Sequence, residues 1–259
     1  MSGHLARIDM FPVKSLDGVS VAQATVLGSG ALAGDRTYAL FDAQHCFVNA
    51  KRNAAIHRLR STFAEDRGLI TIAIDGDDLA VTFHLQDQRP ELEAWLSDYF
   101  QQTITLQENR DLGFPDDTAA AGPTLISTAT LGAIAAWHNL TLDEARRRFR
   151  TNLEIDGVPP FWEDQLFSAD DSPVPFAIGD VVLEGVNPCQ RCVVPTRDAL
   201  TGTATPDFQK TFAQQRAATL PAWASTQRFN HFYKLAVNTN IRGQAGQVLR
   251  VGDSVSVVA

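Results

Sequence analysis

Positive charge, cysteine and long apolar runs are all scarce in this sequence. Its 259 residues carry 22 Lys and Arg against 30 Asp and Glu, a net charge of −8 that disfavours nucleic acids and anionic membranes as partners. No apolar run predicts a signal peptide or a transmembrane helix. The three cysteines cannot all pair within one chain, so we expect a reducing, cytoplasmic location.

The positive charge that is present is clustered. Residues 1–60 hold seven Lys and Arg side chains, and four arginines fall within residues 146–150. Local positive patches on an acidic protein suit a small anionic ligand such as a phosphate. Solvated surface faces remain the alternative interpretation.

The first hundred residues are predicted to be mostly β. Short apolar segments separated by Gly- and Asp-rich turns predict a barrel or a sandwich, with strands at 6–11, 22–27, 37–42, 69–75 and 79–85. Gly76-Asp77-Asp78 is typical of a hairpin connection between the last two. A helix with an apolar face is predicted from Pro90 to Phe100. The polar segment 107–122 is predicted to be a linker.

Helix caps organise the second half. Ser127 is a predicted N-cap for a helix through Trp137, and Thr141 with Glu144 has the spacing of a capping box. The free N–H groups at both helix starts favour anions. Strands are predicted at 153–156, 181–186 and 234–240, and segments 248–251 and 254–258 are predicted to form a closing hairpin.

Two of the three cysteines form the most informative motif. Cys189 and Cys192 have Cys-x-x-Cys spacing in a polar loop that also contains Thr196 and Asp198. A zinc site lacks two further ligands in the usual spacings, and haem attachment lacks the adjacent histidine. A metal-bound thiolate, a redox pair and an inert site remain open on the pattern alone.

The sequence around this motif resembles the MOSC domain family, in particular the branch containing the mitochondrial amidoxime-reducing component and its bacterial relatives. The resemblance comprises six ordered blocks: Pro12–Ser15, Gly34–Arg36, Phe47–Lys51, Leu125–Leu131, Phe149–Asn152 and Cys189–Gly202. It implies a mainly β fold with a few helices. An N-terminal β-rich domain, residues 1–108, would pack on a MOSC β-barrel domain, residues 109–259.

The resemblance also implies a molybdenum cofactor, the plain molybdopterin form. By resemblance Cys192 is the molybdenum ligand and Cys189 is not, and soft sulfur donors suit such a metal. Asp198 would be catalytic, facing the open side of the metal or orienting the cysteine loop. The implied cofactor-binding residues are Lys14, Ser15, Arg36, Lys51, Arg52, Ser127, Thr130, Arg150, Asn152, Arg191 and Thr196.

Several of these residues have purely structural alternatives. Ser127 could be a helix cap, Arg150 a surface cation, and Asp198 a turn-former before Thr201-Gly202. The cationic groups, by contrast, are the donors that a dianionic phosphate needs.

The implied activity is two-electron reduction of N-hydroxylated compounds, namely amidoximes, hydroxylamines and N-hydroxylated bases. Since the sequence lacks the four cysteines of an iron–sulfur cluster, we expect a separate electron-transfer protein or reductase as partner. The alternatives are a non-catalytic carrier of molybdenum cofactor or sulfur, and a metal-free domain with a cysteine redox switch.

Overall fold

Fifteen strands and four α-helices form the part of the chain that the computed structural model describes, residues 3–64 and 67–257. The helices are α1 Arg89–Phe100, α2 Thr128–His138, α3 Leu142–Phe149 and α4 Phe208–Ala218. The strands are β1 Gly3–Met10, β2 Val19–Val21, β3 Gln23–Thr25, β4 Tyr38–Phe41, β5 Leu59–Phe63, β6 Leu69–Ile74, β7 Ala80–His84, β8 Thr105–Glu108, β9 Leu125–Ser127, β10 Leu153–Asp156, β11 Val174–Ile178, β12 Val181–Gln190, β13 Lys234–Asn240, β14 Val248–Arg250 and β15 Ser254–Val257. The prediction of a mainly β fold with a few helices is confirmed.

Seven strands close into a barrel in the order β10-β9-β13-β12-β11-β15-β1, because β1 pairs with both β15 and β10. Strand β2 extends the sheet beside β1. Alternating side chains such as Ile8, Phe176 and Leu183 are fully buried inside, as closure requires. The first strand of the sequence thus completes a barrel whose other strands lie after residue 120.

A second apolar core lies under the β-rich part of the first half. Strands β5, β6 and β7 form an antiparallel sheet, and β4 pairs with β8. The β6–β7 pairing confirms the hairpin predicted at Gly76-Asp77-Asp78. Helix α1 covers this core with Leu92 and Leu96, and Pro90 lies in its first turn, where no backbone N–H is needed.

Three helices cover one side of the barrel. The predicted caps of α2 and α3 are confirmed, since Ser127 Oγ accepts from Thr130 N and Thr141 Oγ1 from Glu144 N. Helix α4 was not predicted from the sequence. Its buried face consists of Phe208, Phe212 and Arg216, and the arginine interrupts the apolar period that would have indicated a helix.

The prediction of a C-terminal hairpin is wrong. Strand β14 pairs with β3, whereas β15 pairs with β11 and β1. The turn itself forms, because Asp253 N donates to Arg250 O at 3.0 Å and Asp253 Oδ2 accepts from Arg250 N at 2.7 Å. Local turn chemistry therefore fixed the chain reversal, while partners distant in the sequence determined the pairing.

Substitution of Gly185 tests the close packing of the barrel. A Cβ at Gly185 would lie 1.8 Å from the backbone oxygen of Leu166, so Gly185→Ala forces the backbone to move. We expect a loss of about 2–3 kcal/mol and a fall in Tm of about 5–10 °C, measured by calorimetry. Gly132→Ala is the matched control, because Gly132 lies in α2 with open space around it and should gain about 0.5–1 kcal/mol. An equal Tm for wild type and Gly185→Ala would contradict the close contact between Gly185 and the backbone of Leu166.

Candidate functional site

A cavity of about 740 Å³ is lined by residues from both halves of the chain. One side comes from residues that follow β1 and from residues 112–124, which overlap the linker predicted at 107–122. The other side comes from the end of α3, from β12 and β13, and from the cysteine loop after β12. Its volume is in the range of small-molecule sites.

The cavity lining is strongly basic, although the protein as a whole is acidic. Four aspartates line it, Asp17, Asp35, Asp116 and Asp117. Eleven cationic residues line it: Lys14, Arg36, Lys51, Arg60, Arg147, Arg148, Arg150, Arg191, Arg197, Arg228 and Lys234. Such a concave concentration of one charge attracts and retains anions.

Five of these cations have no carboxylate partner among the described residues. Lys14, Arg36, Lys51, Arg60, Arg148 and Arg228 form ion pairs with aspartate or glutamate. No ion pair joins a described carboxylate to Arg147, Arg150, Arg191, Arg197 or Lys234. Their charge is therefore available to a ligand.

Two arginines share the ring of Phe11. Arg36 Cζ lies 5.1 Å and Arg150 Cζ 4.2 Å from the centroid of Phe11, which follows β1. Arg150 Nη2 also donates to Leu16 O at 2.6 Å. Burial, followed by repulsion from Arg36, lowers the pKa of Arg150 to about 10, so the guanidinium stays charged at neutral pH.

Asn152 lines the cavity, but its amide is engaged by the protein. Its Oδ1 accepts from Arg36 Nη1 at 3.2 Å and from Thr124 N at 3.3 Å, and its Nδ2 donates to Asp9 O at 3.0 Å. The buried amide thus positions Arg36 and ties β1 to the start of β10.

Lys14 is the most buried cation of the N-terminal side, with 8% of its surface exposed. Its Nζ donates to Phe114 O and to Asp116 Oδ1, both at 2.8 Å. Burial lowers the pKa of Lys14, an effect that Asp116 opposes. Ser15 and Lys51 also line the cavity, with Ser15 Oγ accepting from Ala50 N at 3.4 Å and Lys51 Nζ 3.9 Å from Asp116 Oδ1.

The two cysteines of the motif differ in their hydrogen bonds. Both line the cavity at the end of β12. Cys189 Sγ accepts from Arg191 Nη1 at 3.2 Å, and the Arg191 guanidinium also bonds to Phe149 O. Cys192 Sγ forms no disulfide and no hydrogen bond within the described residues, so this thiol is available to a ligand.

Ser127 and Thr130 do not line the cavity. Both are fully buried. Ser127 Oγ and Thr130 Oγ1 are 2.7 Å apart, and Thr130 Oγ1 donates to Glu163 Oε2 at 3.1 Å. At the N-terminus of α2, which was predicted to attract an anion, the Ser127 hydroxyl accepts from Thr130 N and the Glu163 carboxyl group accepts from the Thr130 hydroxyl, so polar groups of the chain itself contact this helix start.

Three further predicted residues lie outside the cavity lining. Arg52 is exposed and interacts with the Cys46 thiol. Thr196 Oγ1 donates to Val193 O at 2.7 Å and closes its own turn. Asp198 Oδ1 accepts from Leu200 N, Thr201 N and Thr201 Oγ1, the bonding of a turn-former. Although burial opposes this, the bonds from Thr201 hold the pKa of Asp198 below its usual range.

The structure adds lining residues that the sequence analysis missed. Arg197 lies in the cysteine loop, and its Nη1 donates to Ala50 O at 2.8 Å. His57 is buried beside the loop; burial and then Arg197 lower its pKa. Lys234 begins β13, a strand predicted correctly. The sequence did not indicate that Lys234 lies opposite the cysteine motif. That position follows from the pairing of β13 with β12, which is known only from the structure.

Fold and cavity together define a β-barrel protein with a basic cavity and a free thiol. Comparison with family models identifies the MOSC N-terminal beta barrel domain at residues 2–111 and the MOSC domain at residues 123–256. The chain therefore belongs to the MOSC domain family and has its two-domain architecture, as the resemblance implied.

Known relatives are distant. Molybdenum cofactor sulfurases of Caenorhabditis elegans and Caenorhabditis briggsae are 22% and 23% identical over 220 residues, 76% of this chain. The chain matches 29% of the length of each relative. The YuaD protein of Bacillus subtilis matches 98% of this chain and 94% of its own, at 9% identity and a TM-score of 0.38.

The described residues contain neither a membrane-spanning helix nor a cluster of metal-binding side chains. None of their helices has the length and apolarity that a membrane crossing requires. Within residues 3–64 and 67–257, no three His, Cys, Asp or Glu side chains form a metal-binding group.

The Glu163 network predicts a pH dependence of stability. Burial, reinforced by the Asp164 carboxylate, raises the pKa of Glu163 to about 7 from an ordinary 4.5. The folded state therefore keeps a proton that the unfolded state releases, so this stabilisation is complete below about pH 4.5 and is lost as the pH rises through 7.

Glu163→Gln should consequently flatten the pH profile and exceed wild type in stability at pH 8 by about 1–3 kcal/mol. Urea denaturation at pH 5 and pH 8 measures both effects. Glu91→Gln, at an exposed position in α1, is the control and should leave the profile unchanged. A wild-type advantage at pH 8 would show that the ionised carboxylate is favourable in the fold.

Proposed function

We propose that this protein binds a molybdenum cofactor in the basic cavity and reduces N-hydroxylated compounds. The observation that supports this most strongly is the coexistence in one cavity of the Cys192 thiol and a lining of eleven cationic side chains against four aspartates. A cofactor that combines a thiolate-bound metal with a dianionic phosphate needs both features. Membership of the MOSC family and similarity to molybdenum cofactor sulfurases agree with it.

The residues present fit such a group. Lys14, Arg36 and Arg150 would bind the phosphate, with Lys51, Arg191 and Arg197 as further donors around the cavity. Arg191 Nε is buried without a partner among the described residues, so a ligand would satisfy it. Cys192 would be the protein ligand of the metal. When bound, the cofactor would supply two-electron redox chemistry at a metal with an open coordination position.

The residues of the chain have two tasks in this proposal, and a partner has a third. The two walls of the cavity enclose the ligand and exclude bulk water, which strengthens every charge interaction inside. Arg191 donates a hydrogen bond to Cys189 Sγ, so that Cys192 is the cysteine of the motif whose sulfur has no such bond. Electrons would come from a separate electron-transfer protein, and the cytoplasm suits a protein that needs a reduced thiol.

A second candidate is a carrier of molybdenum cofactor or sulfur, which the names of the similar sulfurases favour. The two candidates differ in one measurement. An N-hydroxylated compound such as benzamidoxime, titrated into reduced, molybdenum-loaded protein, reoxidises a reductase stoichiometrically. A carrier would leave the reduced protein unchanged.

Substitution of the two cysteines tests the metal ligand. We expect Cys192→Ser to lose bound molybdenum and benzamidoxime reduction almost completely, because an alcohol does not replace a soft thiolate. Cys189→Ser is the matched control and should retain most of the metal. Elemental analysis of protein from a cofactor-competent host measures this. Loss of molybdenum in Cys189→Ser but not in Cys192→Ser would show that Cys189 is the metal ligand.

Removal of one phosphate donor should weaken cofactor retention without unfolding the chain. For Lys14→Ala and Arg150→Met we expect a loss of at least about tenfold in cofactor affinity, the effect of one charge-assisted hydrogen bond. Molybdenum retained after gel filtration measures this, with Tm as a check on folding. Lys210→Ala is the control, because Lys210 is exposed on α4. Full retention in both cavity variants would contradict phosphate binding at this site.

A further inference from the structure

Lys234 is a cavity cation that the proposed cofactor contacts do not use. It is the first residue of β13, and its Cα partner across the sheet is Gln190, the last residue of β12. Gln190 lies two positions before Cys192 in the motif. The strand pairing therefore places the Lys234 ammonium on the cysteine side of the cavity.

The ammonium is only partly satisfied. Its Nζ donates to Arg228 O at 2.6 Å and makes no other hydrogen bond or ion pair within the described residues. The neighbouring Arg228 is paired with Asp171. Burial, followed by the charge of Arg228, lowers the pKa of Lys234. A half-buried cation with free N–H donors and no carboxylate is one that an anion would stabilise.

A strained bulge fixes this position. Between the pairs Val237–Pro188 and Lys234–Gln190, two residues of β13, Leu235 and Ala236, face the single Cys189 of β12. Ala236 has a φ of 68°, a left-handed conformation that is unfavourable for a residue with a Cβ. Bulges of this kind redirect side chains and are frequent beside active sites.

Lys234 is separate from the cations assigned to the phosphate. Lys14 is held by Phe114 and Asp116, whereas Arg36 and Arg150 share Phe11. No hydrogen bond or ion pair in the described residues joins Lys234 to any of these groups. A single phosphate is already supplied with donors by that set, so the Lys234 charge is available for the substrate.

We propose that Lys234 is a specificity-determining residue that binds a carboxylate of the substrate beside Cys192. This inference rests on the proposed function and narrows it to N-hydroxylated compounds that carry an anionic oxygen group. The Lys234 N–H donors would hold the carboxylate, and the N–O group would then extend toward the cysteine loop.

Two substrates and the amidine product of one of them test the proposal. Steady-state kinetics of the molybdenum-loaded protein, with reduced viologen as electron source, would compare 4-carboxybenzamidoxime with neutral benzamidoxime. Lys234→Met should lower the ratio of their kcat/KM values about tenfold or more, chiefly through the KM of the carboxylate compound. Lys234→Arg should restore part of this preference, and Lys210→Met should leave it unchanged.

Calorimetric binding of 4-carboxybenzamidine provides a readout that does not need turnover. Weaker binding in Lys234→Met, with molybdenum content equal to wild type, supports the carboxylate site. An equal change for both substrates, or a molybdenum loss like that of Lys14→Ala, overturns it, because Lys234 would then be structural or would hold the cofactor. If wild type reduces neither compound, the proposed function fails, and the binding measurement still decides the role of Lys234.

Discussion

The site depends on the contact of two arginines with Phe11. Arg36 comes from the loop before β4 and Arg150 from the end of α3, and both guanidinium groups lie over one ring that follows β1. An aromatic face stabilises a cation without neutralising it. The two halves of the chain therefore meet at a point where two guanidinium groups are held in place. Arg36 is also paired with Asp35, whereas Arg150 has no carboxylate partner among the described residues.

The backbone of the cavity wall adopts a left-handed conformation at three residues that have side chains. Ser15, Arg36 and Arg150 all line the cavity, and all have positive φ values, 74°, 46° and 50°. Arg150 occupies the left-handed position that ends α3, where glycine is the common residue. Each such residue costs about 1 kcal/mol or more. A glycine at Arg36 or Arg150 would remove the conformational cost, but it would also remove the guanidinium group. Strain of this kind is frequent at binding sites.

Local sequence signals were sufficient for some elements and insufficient for others. The caps at Ser127 and Thr141 and the apolar pattern of β13 predicted those elements correctly, because the information lies within a few residues. Helix α4 and the pairing of β14 depend on distant contacts, and no local pattern contained them.

The same distinction applies to the site. The family resemblance indicated Lys14, Arg36, Arg150 and Cys192, and these residues do line one cavity. At Ser127 and Thr130, however, the sequence indicated an anion-favouring helix start and could not reveal that both hydroxyls are fully buried and hydrogen-bonded to each other, with Thr130 also bonded to Glu163. Lys234 became a candidate substrate-binding residue because it pairs with Gln190 across the sheet. The sequence does not contain this pairing, since it depends on the folded structure.

The charge arrangement gives a physical reason for tight ligand retention. Burial is the main cause of the lowered pKa of Arg150; repulsion from Arg36 adds to it, whereas Asp17, Asp116 and Asp35 oppose it. A bound phosphate would remove that repulsion and add its own hydrogen bonds, so the binding free energy includes relief of a cost already present in the fold. Because Arg150 is half-buried and faces an enclosed cavity, dissolved salt screens this interaction less than it would screen a surface pair. Charge and partial burial together thus favour an anion in this cavity over one at the open surface.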